Sequence, residues 1–281
     1  MARAASFTAA RDASFSLVTP VDITLTEVLA SLALVAIAAA VSRWRRADLE
    51  TDIGVGVLRS FLQLTAVGYV IQAIFDSDSL WLVGLLLAGM VAFGTFTARR
   101  RARAVPGALG AIALALGTAA VVTLALVLAL GVFPAEPRYL VPVGGMVIGN
   151  AMTAAAVALN RVADEVSAQA RRLEATLALG ATARQASEPL VSASLRSGLI
   201  PLIDQTKTTG VVTFPGTLVG ALVAGAEPVD AVRLQLILLW LLLGSVALAG
   251  LIATSLGYRG FFTEAHQLRE AQPGGGAVSG R

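Results

Sequence analysis

Cysteine is absent from the chain, and histidine occurs once, as His266 near the C-terminal end. The first absence excludes a disulfide framework and any thiolate metal cluster, and the second leaves the rest of the chain without imidazole. A metal inside the apolar part would therefore meet only oxygen, amide or thioether groups. Lysine is almost as scarce: of 21 positive residues only Lys207 is a lysine. A Walker A loop needs a lysine after a glycine-rich loop to reach the β- and γ-phosphates, and Lys207 sits in DQTKTTG with no such loop upstream. The chain has no recognisable nucleotide-binding site of its own. Charge as a whole is thin, at 14% of residues against 56% hydrophobic, with a mean hydropathy of +0.78. A soluble core of 281 residues cannot hide that much apolar surface, so the natural solvent is a bilayer.

What is present is a series of apolar runs. Residues 1–19 are alanine- and serine-rich without such a run and read as a mobile tail; residues 21–41 then form a first segment long enough to cross a hydrocarbon core roughly 30 Å thick. A cleavable signal ending at AIAAAVS is the alternative for that segment, but the stronger positive cluster follows it, at Arg43, Arg45 and Arg46. Further spans read at 55–75, 79–98, 107–133, 139–160 and 231–257, with an irregular one between 189 and 225. Arginines crowd the connections 43–46, 99–103 and 161–184, whereas FDSDS, FPAEPRY and AGAEPVD hold one arginine between them. By the positive-inside rule the expected topology is an all-α polytopic protein of about seven spans, N-terminus out and C-terminus in. The expected organisation is a tail (1–19), a transmembrane domain (20–257) with a cytoplasmic loop (161–188), and a polar tail (258–281) whose glycine-rich end, QPGGGAVSGR, is flexible.

The stretch RRLEATLALGATARQASEPL, residues 171–190, is the one soluble-looking insertion. Leu173 and Leu177 share a helical face, while Arg171, Arg172 and Glu174 point elsewhere. Gly180 suits the left-handed position after a helix, and Thr182 with Gln185 forms a capping box that starts the next. A short helix, a tight turn and a second helix leading back into the membrane are predicted. Three uses fit it: an amphipathic helix lying on anionic head groups, a DNA-binding helix-turn-helix of loose spacing, or a docking element for a separate cytoplasmic motor.

Polar residues inside apolar runs form the second set of candidates. Gly145, Gly149 and Thr153 recur every four residues, with Ala156 three later, as a small-residue stripe suited to close helix packing, a dimer seam or a substrate path. Asn150 needs a hydrogen-bond partner in hydrocarbon, and Met146 and Met152 beside it are core filler or soft thioether contacts. In the irregular span, broken by Pro201, Gly210, Pro215 and Gly216, Asp204 and Lys207 lie on one helical face among Thr206, Thr208, Thr209 and Thr213. They form either a self-neutralising pair near the cytoplasmic interface or, at Asp204 with Thr208 as a secondary acceptor, an oxygen site for a passing cation. Arg59 and Gln63 repeat the theme near the cytoplasmic end of the second span, with snorkelling the simpler account for Arg59.

Glu174-Ala175-Thr176, three residues and Gly180 resemble the EAA loop of ABC transporter permeases; Leu190 fits the later apolar position, while Ala193 stands where that pattern often has proline. The wider set, GGMVIGNAMT at 144–153, LALGAT at 177–182, Ile203-Asp204 with Lys207-Thr208, and Pro215-Gly216, resembles the FetB-type family over residues 59–251. Those proteins look like permeases of an iron-exporting ABC transporter, with plant aluminium-tolerance membrane proteins related to them. The resemblance implies a permease in a bacterial-type inner membrane that does no chemistry itself. It would pair with a second copy and with two ABC ATP-binding subunits that bind ATP and magnesium, and would engage no nucleic acid. Leu173, Glu174, Ala175, Leu177, Gly180 and Thr182 are then the ATPase-coupling residues, and Met146, Asn150, Met152, Asp204, Lys207 and Thr208 the translocation candidates. The principal alternative is an ion-coupled secondary transporter or channel working through Asp204 and Lys207.

Overall fold

The computed structural model describes residues 25–77 and 79–269. The expected N-terminal tail, the first residues of the first span and the glycine-rich end lie outside them. Among the described residues there are nine α-helices and a closing 3₁₀ turn, with no β-strand beyond isolated bridges. They are α1 (Leu25–Arg45), α2 (Glu50–Ser77), α3 (Leu80–Arg101), α4 (Ala108–Ala129), α5 (Pro137–Ala168), α6 (Ala170–Ala178), α7 (Ala183–Thr208), α8 (Gly216–Val223) and α9 (Pro228–Gly257), followed by Tyr258–Phe261. Six of the long helices, α1 to α5 and α9, are long and apolar enough to cross a bilayer. The all-helical expectation holds, and the irregular span resolves into a long, more polar α7, a non-helical break at 209–215, and the short α8.

The chain divides into two compact units. In the first, which among the described residues holds 25–77 and 214–235, α1 packs on α2. Their connection is closed by buried Ser42, whose hydroxyl accepts from the Leu49 N–H at 3.0 Å. The Thr217 hydroxyl donates to Gln235 Oε1. Large apolar side chains such as Leu34 and Leu64 stand exposed on α1 and α2, as lipid-facing residues do.

The second unit, which among the described residues holds 79–213 and 236–269, has an alanine-rich core built by α3, α4 and α5, with α9 contributing Ala249 and Ala253. Small residues let these helices approach until large neighbours fill the gap. A side chain at Gly94 would crowd Leu116 and Ile148, one at Gly144 would strike Leu87, and one at Gly257 would strike Leu159. The close approaches thus differ from the stripe expected on α5: Gly145 meets only Met90, and Gly149 and Thr153 face outward.

Helix α7 lies antiparallel on α5. Gly198 seats against the Ala154 carbonyl and Ala158, Leu202 shares a cluster with Ala154, and Leu190 packs with Val162 and Val166. That register runs from the elbow between α6 and α7 to the C-terminal end of α7.

Candidate functional site

The elbow forms as its sequence dictates. Helix α6 closes with Gly180 at φ +91°; the Gly180 N–H donates to the Leu177 carbonyl (2.9 Å) and the Ala181 N–H to the Thr176 carbonyl (3.3 Å). This pair of bonds satisfies two carbonyls that a helix end otherwise leaves bare. Two residues on, Thr182 accepts from the Gln185 N–H (3.3 Å) and Gln185 Oε1 accepts from the Thr182 N–H (2.9 Å), the reciprocal box that starts α7. Upstream, Arg161 pairs with Glu165 (2.5 Å), Glu165 accepts from Gln169, and Gln169 accepts from Arg172 (3.4 Å), tying the end of α5 to the start of α6.

Burial separates the coupling candidates into two groups. Leu173 is 3% exposed and Leu177 half-buried, both in a cluster with Val162, Val166, Ala183, Ala186 and Leu190; they anchor the elbow to the bundle. Glu174, Ala175, Gly180 and Thr182 stand at the surface. Beside them Leu179 is 89% exposed, an apolar side chain projecting from a polar loop. Sequence reasoning did not single Leu179 out; its place between the helix end and the glycine was the available signal.

Sequence reasoning also missed a C-terminal hook. After α9 the chain turns through Tyr258–Phe261 and folds back, with the Thr263 N–H donating to the Gln267 carbonyl and the Arg269 N–H to the Phe261 carbonyl, each at 2.8 Å. Tyr258, Phe262 and Leu268 join the cluster of Leu173 and Leu177. His266 Nδ1 accepts from the Ala183 N–H at 3.4 Å, one of the free donors at the start of α7. Hook and elbow wall a groove of about 510 Å³ lined by Glu174, Leu177, Gly180, His266 and Leu268.

The translocation candidates gather far from the elbow. On α5, the Asn150 side chain finds the partner it needs within its own helix, donating to the Met146 carbonyl (2.9 Å). Met152 packs into the core beside Gly94. On α7, Lys207 Nζ pairs with Asp204 Oδ1 at 3.3 Å, and both side chains stay open, 69% and 61% exposed. Asp204 lies 21 residues beyond Ala183, about 31 Å along the helix axis, so the pair sits at the end of α7 remote from the elbow. The Thr208 hydroxyl donates to the Asp204 carbonyl (3.0 Å) and that of Thr209 to the Gln205 carbonyl (2.7 Å), which satisfies the threonines within the helix. The register of α7 on α5 brings Asp204 near the level of Met152 and Asn150. Among the described residues no three His, Asp or Glu side chains converge, at Asp204 or elsewhere.

Comparison with known proteins supplies a family. The model of UPF0014, described as an uncharacterised protein family, matches residues 25–262. The rice "UPF0014 membrane protein STAR2" is 40% identical over 245 residues, covering 86% of this chain and 85% of its own. "Protein ALUMINUM SENSITIVE 3" of Arabidopsis thaliana is 36% identical over 240 residues (85% and 88%), and the "Probable iron export permease protein FetB" of Escherichia coli K12 is 34% identical over 247 residues (88% and 95%). No solved structure gives a significant match. With its membrane-length helices and a match across most of its length, the chain belongs to the UPF0014 family of multi-pass membrane proteins.

Proposed function

We propose that the chain is the permease subunit of an ABC transporter that exports iron or another metal cation, working as a homodimer with two separately encoded ATP-binding subunits in a bacterial-type inner membrane. The observation that carries this reading is the elbow: a rigidly capped turn that holds Glu174, Ala175, Leu179 and Gly180 out from the bundle on a buried leucine anchor. An amphipathic helix resting on lipid would turn its leucines to the bilayer, whereas Leu173 and Leu177 here face the protein. The kinship with FetB, a probable iron export permease, supports the same reading and suggests the cargo.

The topology that fits has seven crossings, α7 being the one whose polarity keeps it apart from the six apolar helices. The ends of α3, α5 and α9 meet near the elbow: Gly257 lies against Leu159 and Val105, and Gly260 against the Pro106 carbonyl. The arginines at 99–103, Arg161 and the hook therefore share one side of the second unit, and that side is cytoplasmic by its charge. A chain that leaves this side in α7 and returns to it in α9 has crossed in between.

In this mechanism ATP binding closes the partner subunits, the elbow moves with them, and α7 transmits the displacement to Asp204 and Lys207, shifting the population between inward- and outward-open states. ATP and magnesium are bound by the partners. Replacing Glu174 with Arg is expected to leave the permease folded in the membrane but unable to co-purify with its ATPase. Undiminished pairing in Glu174→Arg would count against the docking role. The exposed Asp204–Lys207 pair favours a second reading, an ion-coupled transporter without a motor, which is tested by imposing an ion gradient on vesicles free of ATP.

A further inference from the structure

Helix α7 has two opposite faces of different chemistry. The face toward α5 buries Ala186, Leu190, Ser194, Gly198 and Leu202. The other exposes Glu188, Ser192, Arg196, Ile200, Asp204 and Thr208, one at every fourth position, with Ile200 the only apolar member. Both rows follow the four-residue ridge of the helix, so they wind slowly around it and remain opposite at each turn.

The exposed surface of the neighbouring apolar helices is made of residues such as Leu85 on α3 and Val121 on α4, as lipid requires. The α7 row cannot meet lipid in that way. Arg196 lies about 12 Å along the helix from Asp204, and both are on the outward side of a helix that reaches about 31 Å from the elbow. Charged side chains at such depth face a protein interior or water. Among the described residues Glu188, Ser192 and Arg196 make no side-chain hydrogen bond or ion pair, and Glu188 and Ser192 line a groove of about 330 Å³ whose other polar members include Ser255 and Arg259. Ser187, Ser194 and Ser197 differ, each hydroxyl donating to a carbonyl four residues back on its own helix. Ser192 thus keeps its hydroxyl free on the open face, and Arg196 keeps its guanidinium free one turn further on.

We propose that this face of α7 is the wall of the aqueous translocation path, with Glu188, Ser192, Arg196, Asp204 and Thr208 as its lining and a hydrated ion as the species that passes. The inference rests on the transport reading above and extends it, adding Glu188, Ser192 and Arg196 to the pathway and moving the pathway off the methionines of α5. Met152 packs against the core, whereas the α7 row stays exposed from Glu188 to Thr208, its elbow end opening into the groove of about 330 Å³ that Glu188 and Ser192 line with Ser255 and Arg259. Charges of both signs alternate along the wall, so water is held throughout its length. A passing cation competes with Lys207 for Asp204 at the end remote from the elbow.

The absence of cysteine makes the test direct. Full-length permease carrying Ser192→Cys, Ile200→Cys or Thr208→Cys, assembled with its ATPase in membrane vesicles, is treated with a charged, membrane-impermeant methanethiosulfonate reagent. Val121→Cys, exposed on an apolar surface, and Ser194→Cys, buried against α5, serve as controls. An apolar setting raises a thiol pKa by a unit or more, so the three wall cysteines should react about tenfold faster than either control. Modification at Cys-substituted 200 should also block ion flux. Wall cysteines as unreactive as that at position 121, in a preparation that transports, would overturn the path. Reactive wall cysteines in a preparation that shows no ATP-dependent flux would sustain the path and contradict the ABC assignment.

Discussion

Leu173 and Leu179 lie six residues apart on one short segment and have opposite environments. Leu173 is packed into the bundle, and Leu179 projects into solvent. Truncating Leu173 to Ala should therefore cost about 2–5 kcal/mol through the cavity it leaves, measurable as a lower unfolding midpoint in detergent. Changing Leu179 to Asp touches no packed neighbour and should leave that midpoint unchanged while abolishing ATPase co-purification. A loss of stability in Leu179→Asp would mean that the elbow is folded differently. The sequence marked Leu173 correctly as apolar and periodic, yet periodicity reports only that a leucine faces something. It could not tell a side chain facing its own bundle from one offered to a partner, because that depends on residues brought in from α5, α7 and the hook. The same limit applies to Asn150: its need for a partner was legible, but its own helix satisfies it at Met146, a choice made by rotamer and not by pattern.

At the scale of elements, the elbow was readable because its signals are local: a glycine for a left-handed turn and a Thr-x-x-Gln box fix the backbone within a few residues. The start of helix α7 was read from its capping box, but its continuation only as an irregular apolar region, since its polar row and its packed row interleave and average out along the chain. The seat of α7 on α5 was invisible for a different reason. Gly198 works only because Ala154 and Ala158 lie opposite, a pairing of residues some forty positions apart. Adding a methyl there places carbon 2.9 Å from both the Ala154 oxygen and the Ala158 side chain. Gly198→Ala should force the helices apart and destabilise the protein by about 1–3 kcal/mol, whereas Gly149→Ala, with open space around it, should not. The hook escaped notice because a polar composition conceals two apolar anchors, Phe262 and Leu268. Leu268→Asp should loosen the hook and raise amide hydrogen exchange across α6 in the purified permease, with α3 and α4 unaffected. Unchanged exchange in α6 would show that the elbow needs no support from the C-terminal segment.

For the molecule as a whole, composition and hydropathy settled the solvent and the fold class, because burial in lipid leaves little freedom beyond helices. The family match across residues 25–262 agrees with the likeness carried by the motifs at 144–153, 177–182 and 203–208. Cargo stays outside the reach of such patterns, since one carboxylate paired to one lysine does not define a metal. In the proposed mechanism the permease, whose sequence shows no recognisable Walker A loop, takes its energy through the elbow. The direct measurement is iron flux across proteoliposomes containing the purified permease, with and without its cognate ATP-binding subunit, at a fixed ATP concentration. Flux that needs both the subunit and hydrolysable ATP, and that is lost in Leu179→Asp, is the predicted result. Steady flux from the permease alone, undiminished by that substitution, would contradict the account.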